Sequence, residues 1–115
     1  MKQIVYSIIV KNKLKKLKSE LTEKYGINVS LKVVKQITEA VRTLAAFEKR
    51  GISIEDMYGI VCEYRYLYIG QNYIFYRIEK DRIVIVELFD EREDFMWKLF
   101  GIDTTPQDTY DYWDD

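Results

Sequence analysis

The 115-residue chain has no histidine, one cysteine and one proline. Without histidine, and with Cys62 as the sole cysteine, neither a His/Cys metal site nor a Ser-His-Asp triad can be built. Neither a metal nor a cofactor is expected. Cys62 cannot form an internal disulfide. It reads as a small buried hydrophobe, and it points to a cytoplasmic location. No apolar run approaches the roughly 20 residues of a membrane span. Nor does a signal-peptide pattern precede the first predicted strand. What the chain does hold is 48% hydrophobic residues, enough for one packed domain with a modest core.

The formal net charge of −1 hides a polarised chain. Residues 1–50 carry 12 basic side chains against 4 acidic ones, and residues 51–115 carry 6 against 15. Either the halves neutralise one another in the fold, or the first half offers a basic face to an acidic partner.

Periodicity outlines an α+β domain. Residues 3–10, QIVYSIIV, are β-branched and almost wholly apolar, and predict a strand buried on both faces inside a sheet. Asn12 is the expected cap of a first helix running to about Tyr25, with Leu14, Leu17, Leu21 and Tyr25 in one stripe and Gly26 as its stop. Lys11, Lys13, Lys15, Lys16 and Lys18 occupy its other faces, near an N-terminus where cations oppose the helix dipole. That placement fits a solvated charged face or a partner-binding surface. Ser30 is the expected cap of a second helix ending near Arg50 before Gly51, with Val33, Ile37, Ala40, Leu44 and Phe47 as its stripe. A short loop makes the two an antiparallel hairpin. Residues 51–61 read as a connector.

Three antiparallel strands follow at about 62–69, 72–79 and 82–89, joined by Gly70-Gln71 and Lys80-Asp81. Asp90, with Glu93 three residues on, is the expected cap of a short third helix through Phe95, Met96, Leu99 and Phe100 to Gly101. Residues 103–115 hold five acids and no base, and Thr105-Pro106 suggests a last helix around 106–113 docking Tyr110, Tyr112 or Trp113. The alternatives are a disordered tail, or one lying over the lysines of the first helix. The division expected is a domain at 1–102 and an acidic aromatic tail at 103–115.

Alternation puts Ile74, Tyr76 and Ile78 on one face of the middle strand, the natural seat of the helical hairpin. Tyr73, Phe75 and Arg77 then look outward, unless the third helix or the tail covers them. Tyr64, Tyr66 and Tyr68 alternate along the preceding strand. Tyrosine and arginine together suit a protein interface or stacking on unpaired bases. Aromatic pairs across strands for stability are the plainer reading.

The order of strand, helical hairpin, three-stranded meander and short charged helix resembles the RelE/ParE toxins. "RYLYIGQNYIFYRIEKDRIVIVELFDERED", residues 65–94, is similar to that family's sheet signature. "FMWKLFGI", residues 95–102, is similar to the helix that follows it. The resemblance implies a cytoplasmic toxin of a type II toxin–antitoxin module, neutralised by a cognate antitoxin. It implies one of two targets. RelE-like members cut mRNA on the ribosome, without metal. ParE-like members inhibit DNA gyrase and cut nothing.

Cleavage of the RelE type needs a base, an acid and cations around the phosphate. Family members place an arginine at the position matching Tyr73, a basic residue or histidine near Asp90 and Glu91, and often a tyrosine near Trp97. This chain departs at each point. Arg65, Arg77 and Arg92 are the substitutes at hand, with Tyr66, Tyr68 or Tyr73 as a donor and Glu87 or Glu91 as a base. A carboxylate at neutral pH cannot donate to a phosphate, so binding is favoured over cleavage. The candidate contact residues are Lys11, Lys13, Lys15, Lys16, Lys18, Tyr66, Tyr68, Tyr73, Phe75 and Arg77. A third reading is a non-toxic adaptor or decayed member of the fold.

Overall fold

A computed structural model describes residues 1–101. The tail and its suggested helix lie outside the described residues. The elements are β1 (Gln3–Tyr6), α1 (Ile8–Tyr25), α2 (Ile27–Arg42), β2 (Ile52–Ser53), α3 (Ile54–Tyr58), β3 (Tyr64–Ile69), β4 (Asn72–Ile78), β5 (Arg82–Asp90) and α4 (Phe95–Phe100). They build one five-stranded sheet in the order β1-β5-β4-β3-β2. β1 runs parallel to β5, and the other pairs are antiparallel. The α+β architecture expected from the sequence is the one observed: first strand, helical hairpin, meander and terminal helix.

The predicted eight-residue interior strand is instead four residues at the sheet edge. Ser7 ends it. Its hydroxyl accepts the Val10 amide at 3.1 Å and so caps α1 five residues before Asn12. Ile8 and Ile9 therefore lie on a helix and are exposed. α1 ends at Gly26 as expected, but no loop follows. Gly26, at φ 95°, is both the last cap of α1 and the first cap of α2. A side chain there would be strained in this left-handed region. Ser30 is thus inside α2 and fully buried. Its hydroxyl donates to the Ile27 carbonyl at 3.1 Å and lies 2.8 Å from the Thr22 hydroxyl. α2 closes at Arg42 in a 3-10 turn over Thr43–Ala45, short of the predicted Arg50, which leaves Phe47 exposed.

The presumed connector holds β2 and α3. Ser53 caps α3 by accepting the Asp56 amide at 3.2 Å. The path into β2 is pinned by Tyr76: its hydroxyl accepts the Gly51 amide at 2.8 Å and donates to the Glu48 carbonyl at 2.8 Å. A Cβ at Gly51 would fall 2.6 Å from that ring, so only glycine fits. Gly70 and Gln71 both have positive φ and make the tight β3–β4 turn.

Two cores result. On one face Leu67, Ile74, Tyr76, Ile83 and Ile85 meet Val10, Ile37, Val41 and Leu44 of the helical side. On the other, Tyr66, Phe75 and Phe89 meet Ile54 of α3 and Phe95 and Met96 of α4. That second face is not open. Asp94, rather than Asp90, caps α4, accepting the Trp97 amide at 3.1 Å. This later start drops Phe95 onto the sheet.

Candidate functional site

The strand residues of the second face form a ladder: Tyr64 opposite Arg77, Tyr66 opposite Phe75, and Tyr68 opposite Tyr73. α4 covers its middle. The Phe95 ring lies 4.9 Å from Tyr73, 5.0 Å from Phe75 and 5.9 Å from Tyr66. α3 closes the same cluster from the side, with Tyr58 6.0 Å from Phe95. Phe75 is fully buried and Tyr66 nearly so, and Tyr73 is half-buried. Of the aromatic contact candidates, Tyr68 is the exposed one; its hydroxyl donates to Glu91.

The three arginines do not converge. Arg65 stands opposite Tyr76, on the helical-hairpin side, and donates to the Gly51 carbonyl at 2.9 Å. Arg77 lies at the far end of β4 from Tyr73, roughly 13 Å along the strand. It pairs with Glu79 at 2.7 Å and Glu63 at 3.8 Å. Arg92 follows β5 and pairs with Asp90 at 2.9 Å. Each guanidinium is already met by a carboxylate or a carbonyl.

The titrating groups tell the same story. The Arg82 and Arg77 guanidiniums hold Glu79 below the usual carboxylate range. Arg92 does the same for Asp90. Burial pushes the Tyr66 phenol up to about 12, with Tyr58 beside it adding to the rise. The bond to the Glu91 carboxylate raises Tyr68. All four shifts lead away from neutrality, the opposite of what a proton-transfer site needs.

The lysines of α1 separate into two sides. Lys13 turns to the sheet, donates to Glu87 at 2.6 Å and to the Leu88 carbonyl at 3.0 Å, and stands 4.3 Å over the Phe89 ring. It closes the part of the β5 edge that short β1 leaves bare. Lys11, Lys15, Lys16 and Lys18 are exposed. Between α1 and the end of β5 lies a cleft of about 570 Å³. Lys13, Lys16 and Arg92 line it, and so do Glu20, Asp90 and Glu93. Three cations facing three carboxylates make no phosphate cradle. The sequence reading passed over this cleft and α3. The signal for α3 was Ser53 before Glu55 and Asp56, a helix-start pattern hidden between two glycines.

Among the described residues, no helix is long and apolar enough to cross a membrane. Exposed apolar side chains lie on α1 and the start of α2, among them Ile8, Tyr25, Ile27 and Leu31, and on α3 and the segment after it, Met57, Tyr58 and Val61, the last 89% exposed. Trp97 adds another from α4.

Residues 4–95 match the model of a family described as ParE toxin of type II toxin-antitoxin system, parDE. No curated protein matches the chain. Among solved structures, a chromosomal ParDE TA system from P. aeruginosa has a similar fold. Its TM-score is 0.66 at 18% identity, and the match covers 78% of this chain and 96% of that one.

Proposed function

The chain belongs to the ParE toxin family of type II toxin–antitoxin systems, and on that premise we propose that it arrests growth by gripping a macromolecular target rather than by cutting one. DNA gyrase is the target that a ParE-like mode of action implies, and the cytoplasm is where the chain would meet it. The toxin unit is residues 1–102, with residues 103–115 as an appended tail. An antitoxin is the partner this family brings.

One observation carries the binding reading: the guanidiniums of Arg65, Arg77 and Arg92 are dispersed over two faces, and each is engaged. Phosphate cleavage without metal requires cations gathered on one reacting group. The surfaces suited to contact are the free lysines of α1 and the apolar side chains of α3 and Trp97. Tyrosine, tryptophan and methionine at a surface favour association with protein.

The experiment is induction of this chain alone, scoring growth, transcript integrity and plasmid supercoiling together. We expect arrest, intact transcripts and loss of negative supercoiling, with Arg65→Ala and Arg77→Ala still toxic. Cleaved transcripts that vanish in either arginine variant would instead make the protein an mRNA endonuclease. Vigorous growth at good soluble expression would make it a non-toxic adaptor.

A further inference from the structure

α1 is short of anions. Its first turn holds no acidic residue. Lys11, Lys15 and Lys18 recur at i, i+4 and i+7, so they share one side of the helix and repel one another. Among the described residues, neither they nor Lys16 forms an ion pair. Lys15 and Lys18, with Ser19, Thr22 and Glu23, border an open groove of about 450 Å³. Lysine stems give such a groove apolar walls beneath charged rims. Its natural occupant is an acidic segment that also carries aromatic rings.

We propose that residues 103–115 of the same chain occupy this basic face. The segment has five aspartates, no lysine or arginine, and Tyr110, Tyr112 and Trp113. The point of departure favours it. Lys98 of α4 stands 5.8 Å from the Phe89 ring, and Lys13 of α1 stands 4.3 Å from the same ring. Lys13 and Lys98 thus bring α1 and α4 to the same ring of β5, and Gly101 stands three residues beyond Lys98. Fourteen residues beyond it can span up to roughly 46 Å. The stripe from Lys11 to Lys18 is only about 10 Å long. Exposed ion pairs are individually weak, but a short tether gives the segment an effective concentration on the order of mM.

Trp113 reports on the contact once Trp97, exposed on α4, is replaced. In the full chain carrying Trp97→Phe, the only remaining tryptophan is Trp113. We expect its acrylamide quenching constant to rise about twofold in 1 M NaCl, where the screening length falls to about 3 Å. A comparable rise is expected at low salt when Lys15→Glu, Lys16→Glu and Lys18→Glu are added. Carbodiimide coupling of the unaltered chain should then join Lys11, Lys15, Lys16 or Lys18 to Asp108, Asp111, Asp114 or Asp115. Quenching indifferent to both salt and charge reversal overturns the proposal. So does coupling found only between differently labelled chains, which would assign the tail to a second copy. Neither readout depends on toxicity, so failure here leaves the growth assay intact, and the reverse also holds.

Discussion

Against the helical hairpin the sheet presents Leu67, Ile74, Ile83 and Ile85, aliphatic side chains with 5% exposure or less, around the buried ring of Tyr76. Against α3 and α4 it presents Tyr66, Phe75 and Phe89, every one aromatic. The covers differ too. The first face lies under helices of 18 and 16 residues, the second under helices of 5 and 6. Helices that short have no stability of their own and persist only through side-chain contact. The aliphatic face therefore supplies the cooperative fold. The aromatic face is a lid of rings that can open locally while the rest stays folded.

The largest test of this contrast is Ile85→Ala. Ile85 is fully buried, and we expect a loss of about 2–5 kcal/mol in urea unfolding, spread over the whole molecule. Phe95→Ala should cost less than the roughly 3–5 kcal/mol of a phenylalanine locked in a core, because α4 can move away instead of leaving a cavity. Its mark should be faster amide exchange confined to α4 and to strand residues near Phe75. Equal loss of the global midpoint in both variants would mean that the two faces unfold as one unit. Tyr76→Phe sharpens the picture at the helical side. It leaves the Gly51 amide and the Glu48 carbonyl without their partner, for about 1–3 kcal/mol.

The smallest effect is acid sensitivity. Glu79 is held low by Arg82 and Arg77, and Asp90 by Arg92. Folded values below the unfolded ones mean that this stability is present at neutral pH and lost as pH falls through the folded values. These are exposed pairs, so the urea midpoint should fall only slightly below pH 4, and less still at high salt. Arg82→Gln should reduce the Glu79 part of that slope and leave the share that Arg77 holds.

The meander was legible because its signals were strictly local: alternation along residues 72–78 and a Gly-Gln turn. The helical face of β4 followed from the same alternation. The start of α1 was not legible. A β-branched run reads as strand until one asks whether Ser7 can cap, and period alone cannot separate Ile8 and Ile9 on a helix from the same residues on a strand. The end of α2 failed for a related reason. Phe47 continues the apolar spacing, yet the chain turns at Arg42 and leaves that ring in water. The cover over Phe75 was left open because it depends on where α4 begins. Asp90 and Asp94 are both competent caps, and only tertiary packing of Phe95 chooses between them. The dispersal of the arginines was hidden as well. Glu63 and the Gly51 carbonyl reach Arg77 and Arg65 through the pairing of neighbouring strands, whereas Glu79 and Asp90 each sit two residues from their arginine.

The pairing of the first strand with the last has a consequence in time. Gln3 lies opposite Arg82, 79 residues away along the chain. A ribosome adding roughly 5–20 residues per second makes the first strand some 4 to 16 s before its neighbour exists. Until then the first strand has no neighbour in the sheet, and neither face of the finished sheet is complete. A nascent copy thus lacks its finished surfaces until its synthesis is nearly over.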